Sequence, residues 1–283
     1  MKVSLKSKFG SHALTRRLDL NKVRYIIWDL DGTINPEDDL TDAIFADAMC
    51  QAIKDRLIAC QIDVSRTELR ELAEQSIRQT NIAETFILEK YGRILDIQSL
   101  FDHHIYEQIS GEMIALANEY GLPGYDAQTR DAVLNILPLE NQYVLTHGTR
   151  DWGVYALARG GVPELADPDR LYHLRSFDSN FKSQSAKGVL QICDDFDLDP
   201  AEGLMVDNSY ANLVPAHKSG MQTVLMCRGR QPVDPQSPYV SAQFETPSHL
   251  YDYFKSYRRF QPENALTKTA INDRPPSGGP SHD

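Results

Sequence analysis

Short apolar runs, each closed by polar residues, occur once near the start of the chain and repeatedly in its second half. Runs at 23–28, 142–145, 203–206 and 222–226 predict strands, with a weaker one at 171–174. Between the later runs, 151–159, 186–196 and 212–219 carry apolar residues at helical spacing. Short strands alternating with helices imply right-handed βαβ units and a parallel sheet covered on both faces. A different texture fills 38–120. Leu40, Ile44, Ala48, Ile53 and Leu57 recur near helical spacing, and Leu69, Leu72, Ile77, Ile82, Phe86 and Ile87 continue the pattern. No run there predicts a strand, so this stretch is expected to be an all-helical insertion directly after the first strand. The fold expected is therefore α/β: a Rossmann-like three-layer α/β/α core over 22–37 and 121–260, interrupted by a helical domain over 38–120. Residues 1–21 are basic and polar and are expected to form a flexible arm. Residues 261–283, with Pro275-Pro276 and Gly278-Gly279-Pro280, are expected to be a disordered tail.

Composition narrows the class. The chain has 283 residues, 41% of them hydrophobic, and a formal net charge of −11. That length can bury a core without disulfide staples. The acidic balance argues against a broad nucleic-acid surface, which needs clustered Lys and Arg. No apolar run approaches the ~18–20 residues of a membrane span, and the opening residues lack the apolar stretch of a signal peptide. Cys50, Cys60, Cys193 and Cys227 lie far apart without a CxxC pair, which predicts reduced, mostly buried thiols in a cytoplasmic protein. An acidic globular enzyme or binding module remains.

The chemistry concentrates at predicted strand ends. The first strand closes on Asp29-Leu30-Asp31-Gly32-Thr33. Period-two geometry sends Asp29 and Asp31 toward a common side, and Gly32 lets the chain turn away. Carboxylates this close repel unless a cation accompanies them, and Mg²⁺ suits an all-oxygen set. One acid could attack phosphorus while the other handles a proton. Alone, Asp-x-Asp-Gly is also ordinary turn chemistry. Three further features strengthen it. Thr146-His147-Gly148 follows the second strand and offers a hydroxyl and backbone N–H groups as a phosphate cradle, although a Thr there could equally be a helix cap. A lysine, Lys182 or Lys187, lies in Phe181-Lys182-Ser183-Gln184-Ser185-Ala186-Lys187 and could neutralise phosphate charge. Asp207, in Met205-Val206-Asp207-Asn208-Ser209, offers another carboxylate to a metal.

In that order the residues resemble the haloacid dehalogenase (HAD) superfamily of phosphohydrolases, from about 23 to 260. Asp29-Leu30-Asp31-Gly32-Thr33 is similar to its DxDGT motif. The resemblance implies an aspartyl-phosphate on Asp29 and Asp31 as the acid that protonates the leaving oxygen, then the base for water. It places Thr146 in phosphate binding, and Mg²⁺ with Asp29, the backbone carbonyl of Asp31, and Asp207. The insertion resembles a C1 cap. Three positions depart from the usual pattern: Lys182-Ser183-Gln184-Ser185 stands for Lys-Pro-x-Pro, Asp207-Asn208 for the Asp-Asp of nucleotidase-like members, and His147 for Asn. Lys182 lies the usual distance before Asp207 and is the preferred lysine. His147, with Gly148, is a candidate phosphate contact, against a structural role for His147 at the helix entry. An acid at position 31 favours a phosphatase over a carbon–halogen hydrolase, since only the former must protonate an alkoxide.

Other residues read more plainly. His103 and His104 are expected on a helix of the insertion, where adjacent side chains point apart, against a shared metal. Arg150 is expected to be exposed, Trp28 to be core, and Asp194, Asp195 and Asp197 to form a solvated face. The reading is Mg²⁺-dependent hydrolysis of a small phosphorylated metabolite, a nucleoside monophosphate or a sugar phosphate, with no nucleic-acid or membrane partner. A phosphomutase of the same fold and a catalytically weak HAD-like binding module are the alternatives.

Overall fold

A computed structural model describes residues 18–36, 39–80, 85–92, 94, 104–122, 124–173, 176, 181–229, 233–234 and 237–260. The predicted strands form as β1 (Tyr25–Trp28), β2 (Gln142–Leu145), β3 (Leu171–Tyr172), β4 (Gly203–Asp207) and β5 (Gln222–Met226). A further strand, β6 (Ala242–Phe244), extends the edge. All pair in parallel in the order β3-β2-β1-β4-β5-β6, an α/β Rossmann-like sheet. Every residue of β1, β2 and β4 is buried, as expected of parallel strands covered on both faces. The chain runs outward from β1 through β2 to β3, then returns to place β4 on the other side of β1. That reversal opens a crevice beyond the carboxyl ends of β1 and its two neighbours.

Between β1 and β2 lie α1 (Asp39–Ala59), α2 (Arg66–Thr80), α3 (Thr85–Tyr91), α4 (Ile105–Tyr120) and α5 (Ala127–Asn135). Ile44, Ala48, Met49, Ile53 and Leu57 form the buried side of α1, which packs on α4 and α2. No strand occurs among the described residues of 39–120. The remaining α-helices among the described residues are α6 (Arg150–Arg159), α7 (Lys187–Asp195), α8 (Tyr210–Lys218) and α9 (Pro247–Phe260). No helix among the described residues is long and apolar enough to cross a membrane.

Polar residues join these layers where they are buried. Gln142 accepts from Trp28 Nε1 at 2.8 Å and donates to the carbonyls of Val133 and Leu137, so one satisfied amide ties β2 to β1 and α5. Trp28 is fully buried, as expected.

Several expectations need correction. Leu18 and Leu20 are buried, and Asp19 N–H donates to Gln222, so packed chain begins inside the stretch assigned to the arm. The rest of that arm and residues 261–283 lie outside the described residues. Strand β1 starts at Tyr25 rather than at position 23, because the Arg24 N–H turns to Glu202 O ahead of the ladder. His104 precedes α4 with φ 56° rather than lying on a helix; His103 is outside the described residues. Asp194, Asp195 and Asp197 are exposed, as expected, and Asp195 also accepts from the Tyr172 hydroxyl. The four cysteines are free, with Cys50, Cys193 and Cys227 buried.

Candidate active site

The carboxyl ends of β1, β2 and β4 bring Asp29, Leu145 and Asp207 together, and Lys182 closes the group from the loop before α7. The Lys182 ammonium donates to Asp29 Oδ1, to Asp207 Oδ2 at 3.0 Å and to the Leu145 carbonyl at 3.1 Å. All three side chains are at most 7% exposed, so their charges must compensate one another. Burial works against the Lys182 ammonium, but the charges of Asp207 and Asp29 outweigh it and hold the ammonium above the ordinary lysine range. For Asp207, burial and then Asp29 push the carboxyl up while Lys182 opposes them. These opposite pulls have one origin: two carboxylates share one ammonium in a dry site.

The acids are also fixed by neutral donors. Thr33 Oγ1 donates to Asp29 Oδ2 at 2.8 Å. Ser209 N–H donates to Asp207 Oδ1 at 2.7 Å, and Asn212 Nδ2 reaches both Asp207 oxygens at 3.1 Å. Gly32 turns the chain with φ 76°, a conformation glycine adopts without strain.

Asp31 is held apart from this cluster. Trp152 Nε1 donates to its two carboxylate oxygens at 3.0 and 3.1 Å, and Asn35 Nδ2 donates to Oδ1 at 2.9 Å. Arg159 in turn donates to Asn35 Oδ1. Asp31 keeps a partly open surface, yet dense surrounding protein raises its pKa to about 6; the Asn35 bond opposes this, the Asp29 charge adds to it, and Trp152 and Lys182 oppose it. An acid near that value can give and take a proton around neutral pH. Sequence reasoning singles out neither Trp152 nor Asn35. Asn35 lies four residues beyond Asp31, but nothing local marks Trp152, which is 121 positions away.

Thr146 is buried, and its Oγ1 accepts from Gly148 N–H at 2.9 Å. Thr149, rather than Thr146, caps α6 by accepting from Trp152 N–H. A Cβ on Gly148 would stand 3.0 Å from Trp152 Cδ1, so the turn follows the indole closely. The Nε2 of His147 accepts the Lys182 backbone N–H at 2.7 Å. Lys187 begins α7 with an exposed side chain, so Lys182 is the lysine at the strand ends. Arg150 is exposed at the start of α6, as expected.

Among the described residues no three or more His, Cys, Asp and Glu side chains are gathered as a metal site. Asp31 explains much of this, since its carboxylate faces Trp152 and Asn35. Asp29 and Asp207 nevertheless flank one cationic position, taken by the Lys182 ammonium. The carboxylate oxygens of Asp29 and Asp207 are hard donors that fit Mg²⁺ in kind.

No protein-family model matches the chain, and no curated protein matches it. Among solved structures it is similar to a dehalogenase with an intermediate complex, at 14% identity and a TM-score of 0.50, over 82% of this chain and 97% of that one. It is similar also to β-phosphoglucomutase from Clostridium difficile, at 13% identity and a TM-score of 0.48, over 84% of this chain and 99% of the other. A HAD family hydrolase from Deinococcus radiodurans R1 with bound phosphate and sodium matches at 10% identity and a TM-score of 0.45, over 81% of this chain and 93% of the other. At the first of these values the likeness is one of fold, which is α/β and Rossmann-like.

Proposed function

We propose that the chain is a HAD-type phosphohydrolase that cleaves a small phosphomonoester through an aspartyl-phosphate on Asp29. The observation that carries this reading is the division of labour among the acids: Asp29 and Asp207 share the Lys182 ammonium, while the Asp31 carboxylate is turned to Trp152 and Asn35. A carboxylate oxygen of Asp29 attacks phosphorus and the bond to the ester oxygen breaks. Asp31, protonated, gives its proton to that oxygen. In the second step Asp31 takes a proton from water, whose oxygen attacks the phosphorus and frees Asp29. Lys182 and the Thr146 hydroxyl meet the charge on the equatorial oxygens, together with the N–H groups around Leu30 and His147. Asp29, Asp207 and the Asp31 carbonyl would hold Mg²⁺, which supplies charge neutralisation and orientation when bound.

Asp31 favours a phosphatase over a dehalogenase, because halide leaves without a proton. The described helices of 39–120 follow β1 directly, which supports a cap that selects the substrate. A nucleoside monophosphate and a sugar phosphate are the classes to try first.

The test is phosphate release from an aryl phosphate and a panel of metabolite phosphates, with Mg²⁺ and with EDTA. Asp29→Asn keeps the shape of the side chain and is expected to lower turnover by about 10⁴-fold or more. Metal-dependent release lost in the variant supports the reading. An isomerised sugar phosphate without free phosphate would make it a mutase, and no turnover by folded protein would leave a binding module.

A further inference from the structure

Lys182 belongs to neither a helix nor a strand. It follows Phe181 in a turn in which Gln184 and Ser185 N–H both return to Phe181 O, beyond β3 and before α7. Its ammonium must nevertheless stay between two buried carboxylates. The Lys182 backbone N–H donates to His147 Nε2 at 2.7 Å, and His147 directly follows Thr146 at the end of β2. Thr146 is fixed in its turn by its own N–H on Tyr172 O at 2.9 Å. The His147 ring also meets Phe181 edge-on, with centroids 5.3 Å apart at 82°. Lys182 is thus held at both ends: main chain to the loop after β2, ammonium to the ends of β1, β2 and β4.

We infer that His147 is a positioning residue, whose neutral imidazole accepts the Lys182 N–H through Nε2 and so fixes the lysine between Asp29 and Asp207. An acceptor at Nε2 requires the ring proton on Nδ1. Burial, and after it the Lys182 charge, holds the imidazole well below its ordinary pKa, consistent with a neutral acceptor. The effect on turnover rests on the phosphohydrolase reading; the tautomer and the bond do not.

The test pairs His147→Leu, which keeps bulk but no acceptor, with His147→Gln, which can place a carbonyl oxygen near the Nε2 position. Nitrogen-15 NMR of the wild-type imidazole should report a protonated Nδ1 and a bare Nε2, and the Lys182 amide signal should shift strongly in His147→Leu. With circular dichroism unchanged, His147→Leu should lower kcat by about 10–100-fold while KM moves less than about threefold, since small displacements of a charged group can cost that much. His147→Gln should recover most of the loss. A proton on Nε2, a Lys182 amide unmoved by the Leu variant, or a Gln variant as poor as Leu overturns the inference. Should the wild-type protein turn over no phosphate ester, the hydrolase reading falls, while the tautomer and the amide shift still decide the role of His147.

Discussion

Two parts of the molecule make ion pairs of similar length with opposite meanings. On the helices after β1, Arg70 meets Asp47 at 2.9 Å and Glu74 at 3.1 Å, each side chain more than a third exposed. At the strand ends, Lys182 meets Asp207 at 3.0 Å with side chains 4% and 0% exposed. Separation alone does not distinguish them. Water screens the first set and relieves any partner that is lost, whereas the second has its own members and a few fixed neutral donors to compensate each charge. The surface set can therefore change at small cost, while the buried set fixes where an ammonium and two carboxylates stand.

The sharpest way to break this contrast is Lys182→Met, which keeps most of the length of the side chain and leaves Asp29 and Asp207 facing each other without a cation. We expect a loss of about 3–5 kcal/mol in denaturant unfolding at neutral pH, with activity abolished. The loss should shrink as pH falls and the carboxylates take up protons. A variant as stable as wild type at neutral pH would mean that the cluster is wetter than its burial indicates.

Asp31 gives a smaller effect with a definite sign. Its folded pKa of about 6 exceeds the ordinary 3.8, so the carboxyl is accommodated best when neutral. Its contribution to stability is complete below pH 3.8 and is lost as pH rises through about 6. Asp31→Asn removes that penalty. The variant should gain on wild type between pH 4 and pH 8 by at most about 3 kcal/mol, read from urea curves at the two pH values, while losing turnover. A gain in the opposite direction would mean that Trp152 and Asn35 stabilise the carboxylate more than burial opposes it. Such a gain in stability with loss of activity would mark Asp31 as an acid kept for chemistry.

The same contrast between buried and exposed chain explains which features are legible in the sequence. Strands β1, β2, β4 and β5 announce themselves because parallel strands buried on both faces are written as apolar runs, and the strand-end acids follow from those runs by position. Strand β6 does not: Ala242–Phe244 is three residues long with Gln243 at its centre, too short to show a period. Helix α9 carries an N-terminal signal in Pro247 and a core pair in Leu250 and Phe254, but polar chain on both sides obscures its start. At the site, Asp29, Asp31, Lys182 and Asp207 are legible because each lies at the end of a readable element or at a motif spacing. The indole over Asp31 and the imidazole under Lys182 are not, because hydrogen bonds across 121 and 35 positions leave no local period. Residue type alone makes Trp152 look like ordinary helix core and His147 like a phosphate ligand.

The smallest expected effect completes the comparison. Arg70→Met removes a guanidinium that bonds Asp47 and Glu74, yet all three groups keep access to water. Stability should fall by less than about 1 kcal/mol, and the difference from wild type should fade as salt is raised from about 0.05 to about 0.5 M, where the screening length shortens to a few ångströms. Phosphate release should be unchanged if the site lies at the strand ends, because Arg70 contributes nothing to the Asp29–Lys182–Asp207 cluster. A large, salt-insensitive loss would show that the arginine's aliphatic stem, rather than its charge, holds α2 against α1, and the distinction between the regions would then rest on packing. A selective rise in KM without loss of stability would instead place that helical face in contact with substrate.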